Sequence, residues 1–110
     1  MQWITLKTEE ELKMLVEKSF TKPQLIFKHS TRCSVSSTIK TRLEKSSIPP
    51  MIDFHYLDLI AFRSLSNRVA EQFHVYHEAP QVLLIKNGEF IFDESHLSVY
   101  MEDIVEQIAS

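Results

Sequence analysis

Glycine is nearly absent from this chain of 110 residues: Gly88 is the only one. There is therefore no glycine-rich loop to wrap a phosphate group and no flexible linker between units. Cysteine is equally scarce, with Cys33 alone. No internal disulfide can form, and a reducing, cytoplasmic compartment is the simplest setting. A surplus of basic charge is missing too. The 12 Lys and Arg against 15 Asp and Glu give a net charge of −3 and a pI near 5.9, so no basic stripe exists for nucleic acid. No apolar run approaches the length needed to cross a bilayer, and Met1-Gln2-Trp3-Ile4-Thr5-Leu6 lacks the long apolar core of a secretory signal. What remains, 44% hydrophobic and 25% charged residues, suits one soluble domain over residues 1–110 with a modest core.

The hydrophobic pattern divides the chain into alternating elements. A short apolar stretch at Trp3 to Leu6 is followed by Thr8-Glu9-Glu10-Glu11, which reads as a capping box. Leu12, Leu15, Val16 and Phe20 then recur at helical spacing, which predicts a helix over about 9–19. Pro23 introduces a strand over 24–28, and Val35, Ile39 and Leu43 predict a helix from Cys33 to about Ser46. Ser47-Ile48-Pro49-Pro50 forces an extended connection. A strand over 51–57 and a helix over 62–74 follow, the latter on the stripe Phe62, Leu65, Val69 and Phe73.

Val82 to Ile85 and Phe90 to Phe92 flank Asn87-Gly88, the strongest short hairpin signal. Leu97, Tyr100, Met101, Ile104, Val105 and Ile108 close the chain as an amphipathic helix. Met14, Met51 and Met101 fall on apolar faces and read as core filler. The order β-α-β-α-β-α-β-β-α demands parallel crossovers early and an antiparallel pair late. A mixed sheet of about five strands with helices on both faces satisfies both.

Cys33 stands where a strand hands over to the first turn of a helix. Free N–H groups and a partial positive charge at that position favour thiolate over thiol. The polar neighbours Thr31, Arg32, Ser34 and Ser36 favour a nucleophile over a small buried apolar side chain. Arg32 and His29 are candidates to add positive charge beside the thiol.

The element order, the thiol opening the second helix, and the segment Phe73-His74-Val75-Tyr76-His77-Glu78-Ala79-Pro80-Gln81-Val82-Leu83-Leu84-Ile85-Lys86-Asn87-Gly88-Glu89 together resemble the thioredoxin fold. The resemblance implies a cis Ala79–Pro80 bond, with Pro80 facing Cys33. Lys28-His29-Ser30-Thr31-x-Cys33-x-x-Ser36 and His77-Glu78-x-Pro80-Gln81-Val82 are similar to the YtxJ-like family of monothiol bacilliredoxins. Members of that family remove the small thiol bacillithiol from cysteines of other proteins. Where the family motif reads Thr-Cys-Pro-Ile-Ser, this chain has Arg32-Cys33-Ser34-Val35-Ser36. Ser34 in place of proline gives up some rigidity in the first turn without touching the thiol.

The resemblance implies a monothiol thiol-disulfide oxidoreductase with bacillithiol as co-substrate and no tightly bound cofactor. Its partners would be S-thiolated client proteins and a second small thiol or a disulfide reductase, with neither nucleic acid nor membrane. Cys33 is the expected nucleophile. Ser36, at the place of a resolving cysteine, is expected either to donate a hydrogen bond to the thiolate or to be an ordinary polar residue of the first turn. Thr31, Arg32, Ser34, His77, Glu78, Ala79, Pro80 and Gln81 would surround the thiol adduct, the backbone near Ala79 offering an edge. A solvated Arg32 and simple loop polarity at His77 are the plainer alternatives. His74 and His77 have a spacing that invites a metal, but no further ligands are indicated and no metal is expected. His55 and His96 read as strand and surface residues. Two other functions remain open: a monothiol glutaredoxin-like iron–sulfur cluster protein, although the Gly-Phe of its Cys-Gly-Phe-Ser motif is missing here, and a thioredoxin-fold interaction protein with an inert cysteine.

Overall fold

A computed structural model of the chain describes residues 2–46 and 49–109. Its elements follow the predicted order: β1 Ile4–Thr5, α1 Glu9–Lys18, β2 Gln24–His29, α2 Ser34–Lys45, β3 Asp53–Asp58, α3 Arg63–Phe73, β4 Gln81–Lys86, β5 Glu89–Ser95 and α4 Met101–Ala109. The extended connection predicted around Ser47 and Ile48 lies outside the described residues. One five-stranded sheet results, in the order β1-β3-β2-β4-β5. β3 runs parallel to β1 and β2, while β4 is antiparallel to both β2 and β5.

Period-2 alternation in the central strands divides the core between the two faces. Leu25 and Phe27 of β2 point toward Ile39 and Leu43 of α2 and Ile104 of α4. Ile26 of β2 points the other way, toward Leu12 and Leu15 of α1 and Leu65 and Val69 of α3. Lys28 continues the Ile26 row and His29 the Phe27 row. Each polar side chain is thereby carried into an interior facing a different helix.

The local signals hold where a mechanism stands behind them. The Thr8–Glu11 capping box is formed, with the Thr8 side chain accepting from the Glu11 N–H and Glu11 Oε1 accepting from the Thr8 N–H. Asn87 and Gly88 both have positive φ, 54° and 77°, which matches the twist of a two-residue hairpin. The end of α1 braces that turn: Ser19 accepts from the N–H groups of Asn87 and Gly88.

Four expectations change. Phe20 lies beyond α1 and covers the hairpin turn, 62% exposed, rather than joining the helix face. Met14 and Met51 are exposed, and only Met101 of the three predicted core methionines is buried. β5 extends to Ser95, three residues past the apolar Phe90–Phe92 run, because the ladder continues until Ser95 meets Gln81. The C-terminal helix does not begin at Leu97. A one-turn 3₁₀ helix, His96–Ser98, precedes it, leaving Leu97 and Tyr100 exposed. Arg42 explains the break, because its guanidinium donates to the carbonyls of Leu97 and Val99, both at 2.8 Å, and lies over the Tyr100 ring.

Candidate functional site

β2 and β4 are antiparallel, so the sheet end that β2 reaches is the end from which β4 departs. Cys33 follows β2 there as the N-cap residue of α2, and the 76–80 segment leads into β4 at the same place. The Ala79–Pro80 bond is cis, as the resemblance implied. Cys33 is partly exposed, is a free thiol, and makes no capping hydrogen bond with its side chain. Thr31, Arg32 and Ser34 around it are exposed. The backbone holds the entry turn through the Cys33 N–H donating to the Ser30 carbonyl at 3.1 Å.

Ser36 makes no hydrogen bond to the thiol among the described residues. It is fully buried, accepts from the Ser30 N–H at 3.1 Å, and lies 2.7 Å from His29 Nδ1. The expected bond to Cys33 gives way to one that ties the end of β2 to the first turn of α2. His29 is corrected with it. Burial first, and Lys40 second, hold its imidazole below the ordinary histidine value. The neutral ring is favoured there, and a neutral ring brings no net positive charge to the thiol. Its place beside Phe27 and Tyr56 is that of a packed core residue.

On the second half of the site, Pro80 is buried and its carbonyl accepts from the His96 N–H at 2.9 Å. The His96 ring lies 2.9 Å from a Glu78 carboxylate oxygen, a second tie between the loop and the end of β5. The N–H and carbonyl of Ala79 take no backbone partner among the described residues. Gln81 lies wholly inside. Its amide donates to the Tyr76 carbonyl at 3.0 Å and reaches Asp93 at 3.3 Å, bracing the loop from below. It is placed to support the loop, not to line its outer edge. His74 caps α3 with left-handed φ, and among the described residues no group of three or more His, Cys, Asp and Glu is placed to hold a metal ion.

Sequence reasoning missed Lys28. Its side chain is fully buried at the site end of β2, with Nζ 3.2 Å from the Ser66 carbonyl of α3 and 3.4 Å from His77 Nδ1. Desolvation lowers its pKa to about 8. None of the ion pairs among the described residues involves it. The signal was available in Leu25-Ile26-Phe27-Lys28-His29: alternation puts Lys28 on the Ile26 face, which a lysine does not enter without a reason. His77 stays exposed, and burial followed by the nearby Lys28 and Arg63 charges lowers its pKa. His55 is buried in β3, 2.7 Å from Gln24 Oε1, and burial pushes its pKa down to about 4.

Known proteins share this fold. A protein described as having a thioredoxin fold superposes with a TM-score of 0.84 at 25% identity, over 96% of this chain and 92% of its own. Thioredoxin from Malassezia sympodialis superposes at 0.76 with 16% identity, over 98% and 90% of the two chains. Thioredoxin O2 from Arabidopsis thaliana does so at 0.76 with 20% identity, over 98% and 95%. The fold is therefore that of thioredoxin. Residues 4–104 match the family described as monothiol bacilliredoxin BrxC. One thiol, one thioredoxin fold and a family match spanning nearly the whole sequence lead to one statement: this chain belongs to the monothiol bacilliredoxin family and is a monothiol redox protein.

Proposed function

We propose that this chain removes bacillithiol from S-bacillithiolated proteins in the cytoplasm. The Cys33 thiolate attacks the bacillithiol sulfur of the client's mixed disulfide. A new sulfur–sulfur bond forms to Cys33 as the old one breaks, and the client cysteine leaves as a thiolate. The observation that carries the reading is the placement of the single free thiol: at the start of α2, partly exposed, at the sheet end that also bears the Ala79–Pro80 loop. The Ala79 backbone, without a backbone partner among the described residues, gives an extended adduct or client segment an edge to pair with. Thr31, Arg32, Ser34, His77 and Glu78 form the surrounding rim.

With one cysteine in the chain, Cys33 cannot resolve its own adduct. Ser36 occupies the resolving position and is engaged with His29. An external thiol or a disulfide reductase must therefore return Cys33 to its reduced form. Incubation of the reduced protein with a bacillithiolated client, followed by mass spectrometry of both partners, tests the reading. The client is expected to lose the mass of one bacillithiol moiety as Cys33 gains it, and Cys33→Ser to do neither. A client that stays modified, or one cleared equally by Cys33→Ser, would refute it.

A further inference from the structure

Lys28 is a buried cation without a carboxylate partner among the described residues. Its Nζ is held by the Ser66 carbonyl at 3.2 Å and by His77 Nδ1 at 3.4 Å, with Ser66 Oγ 3.3 Å from the same ring nitrogen. An ammonium only donates, so Nδ1 must be the acceptor. The neutral ring then carries its proton on Nε2, the nitrogen turned away from Lys28, and His77 is exposed at the loop that holds Ala79 and Pro80. A chain of two hydrogen-bonding groups thus runs from the interior to the surface beside the site. Gln81, directly opposite Lys28 in the β2–β4 ladder and on the same face, leaves Oε1 as the one buried side-chain polar atom without a partner among the described residues. Arg63 and Glu78 are the other charged groups bearing on His77.

We propose that Lys28 and His77 form a proton relay that delivers a proton to the client thiolate as it leaves. This inference rests on the proposed function. His77 Nε2–H passes its proton to the departing sulfur while Nδ1 takes one from Lys28 Nζ, leaving a neutral amine in an apolar surround. The reset runs in reverse: Nε2 takes a proton from water and Nδ1 returns its own to Lys28. The net change is one solvent proton moved to one client thiol, with no further oxidant or reductant. Desolvation brings Lys28 to about 8, close to the ~8.5 of an ordinary cysteine thiol, so the transfer is nearly balanced. His77 is the catalytic residue in this scheme and Lys28 acts through it.

The test uses two bacillithiol mixed disulfides that differ in leaving thiol: one with a cysteine peptide, the other with thionitrobenzoate, an acidic thiol that leaves without needing a proton. Wild type, Lys28→Met and His77→Asn are compared in single turnover. Both variants are expected to release the peptide thiol about a hundredfold more slowly, the lower end of general-acid effects, and to lose far less with thionitrobenzoate. The dependence of rate on leaving-thiol acidity steepens accordingly. The exposed His77→Asn gives the readout whether or not Lys28→Met folds. Equal losses on both substrates, or no loss on either, overturn the relay. A wild-type protein that releases neither thiol overturns the proposed function, and the relay falls with it.

Discussion

Replacing Lys28 by methionine, similar in length and without charge, is expected to stabilise the protein at neutral pH. Desolvation lowers the Lys28 pKa from 10.5 to about 8. A displacement of that size means the folded state bears about 3 kcal/mol for keeping the ammonium charged. Methionine removes that cost but loses the bonds to Ser66 and His77, about 1 kcal/mol together once the charge term is counted separately. A net gain of about 2 kcal/mol at pH 7 follows, within the range found when buried charge gives way to packed apolar groups. The pH dependence carries the stronger test. Below pH 8 Lys28 is charged both folded and unfolded, and the full penalty applies. Between pH 8 and 10.5 the folded state releases its proton first, so wild type gains stability relative to the variant and the gap closes. Urea denaturation followed by fluorescence of Trp3, the only tryptophan, measures this directly, because Trp3 stacks on Phe27 with ring centroids 5.4 Å apart. A variant less stable than wild type at pH 7, or a gap that does not change up to pH 10.5, would show that Lys28 is not the buried, strained cation described above.

Other outcomes are equally accessible. His55, held at about 4 by burial against an ordinary 6.5, contributes stability that is fully present above pH 6.5 and is lost as pH falls through 4. His55→Gln should flatten that part of the stability profile, and an unchanged profile would assign the acid loss elsewhere. Gly88→Ala places a Cβ 2.5 Å from Phe20 Cζ at a φ of +77° and should cost roughly 1–2 kcal/mol in urea denaturation; Asn at the same position should cost less, because it tolerates left-handed φ. Arg42→Ala removes two 2.8 Å bonds to the Leu97 and Val99 carbonyls and the cover over Tyr100. Faster amide exchange in the segment leading into α4 is expected, with about 1–2 kcal/mol of global destabilisation; protection equal to wild type would contradict the role given to Arg42.

Much of this protein was legible in one dimension because local chemistry decided it. Thr8 and Glu11 lie three residues apart and cap α1 whatever the rest of the chain does. Asn87-Gly88 makes a hairpin because few other residue pairs adopt two consecutive positive φ values. The place of Cys33 between an apolar strand and an amphipathic helix follows from the two periodicities alone. Composition and the single cysteine already required an external thiol to complete any exchange.

What only the tertiary structure decided are the partners of side chains whose neighbours lie far along the chain. Arg42 delays the start of the C-terminal helix because its guanidinium meets carbonyls 55 and 57 residues away. Lys28 becomes a buried cation because α3 delivers the Ser66 carbonyl and the loop before β4 delivers His77, 38 and 49 residues distant. Periodicity states which face a residue occupies. Only the packing of distant elements onto that face states what the residue finds there, which is why a lysine on the Ile26 face ends against the Ser66 carbonyl and the His77 ring.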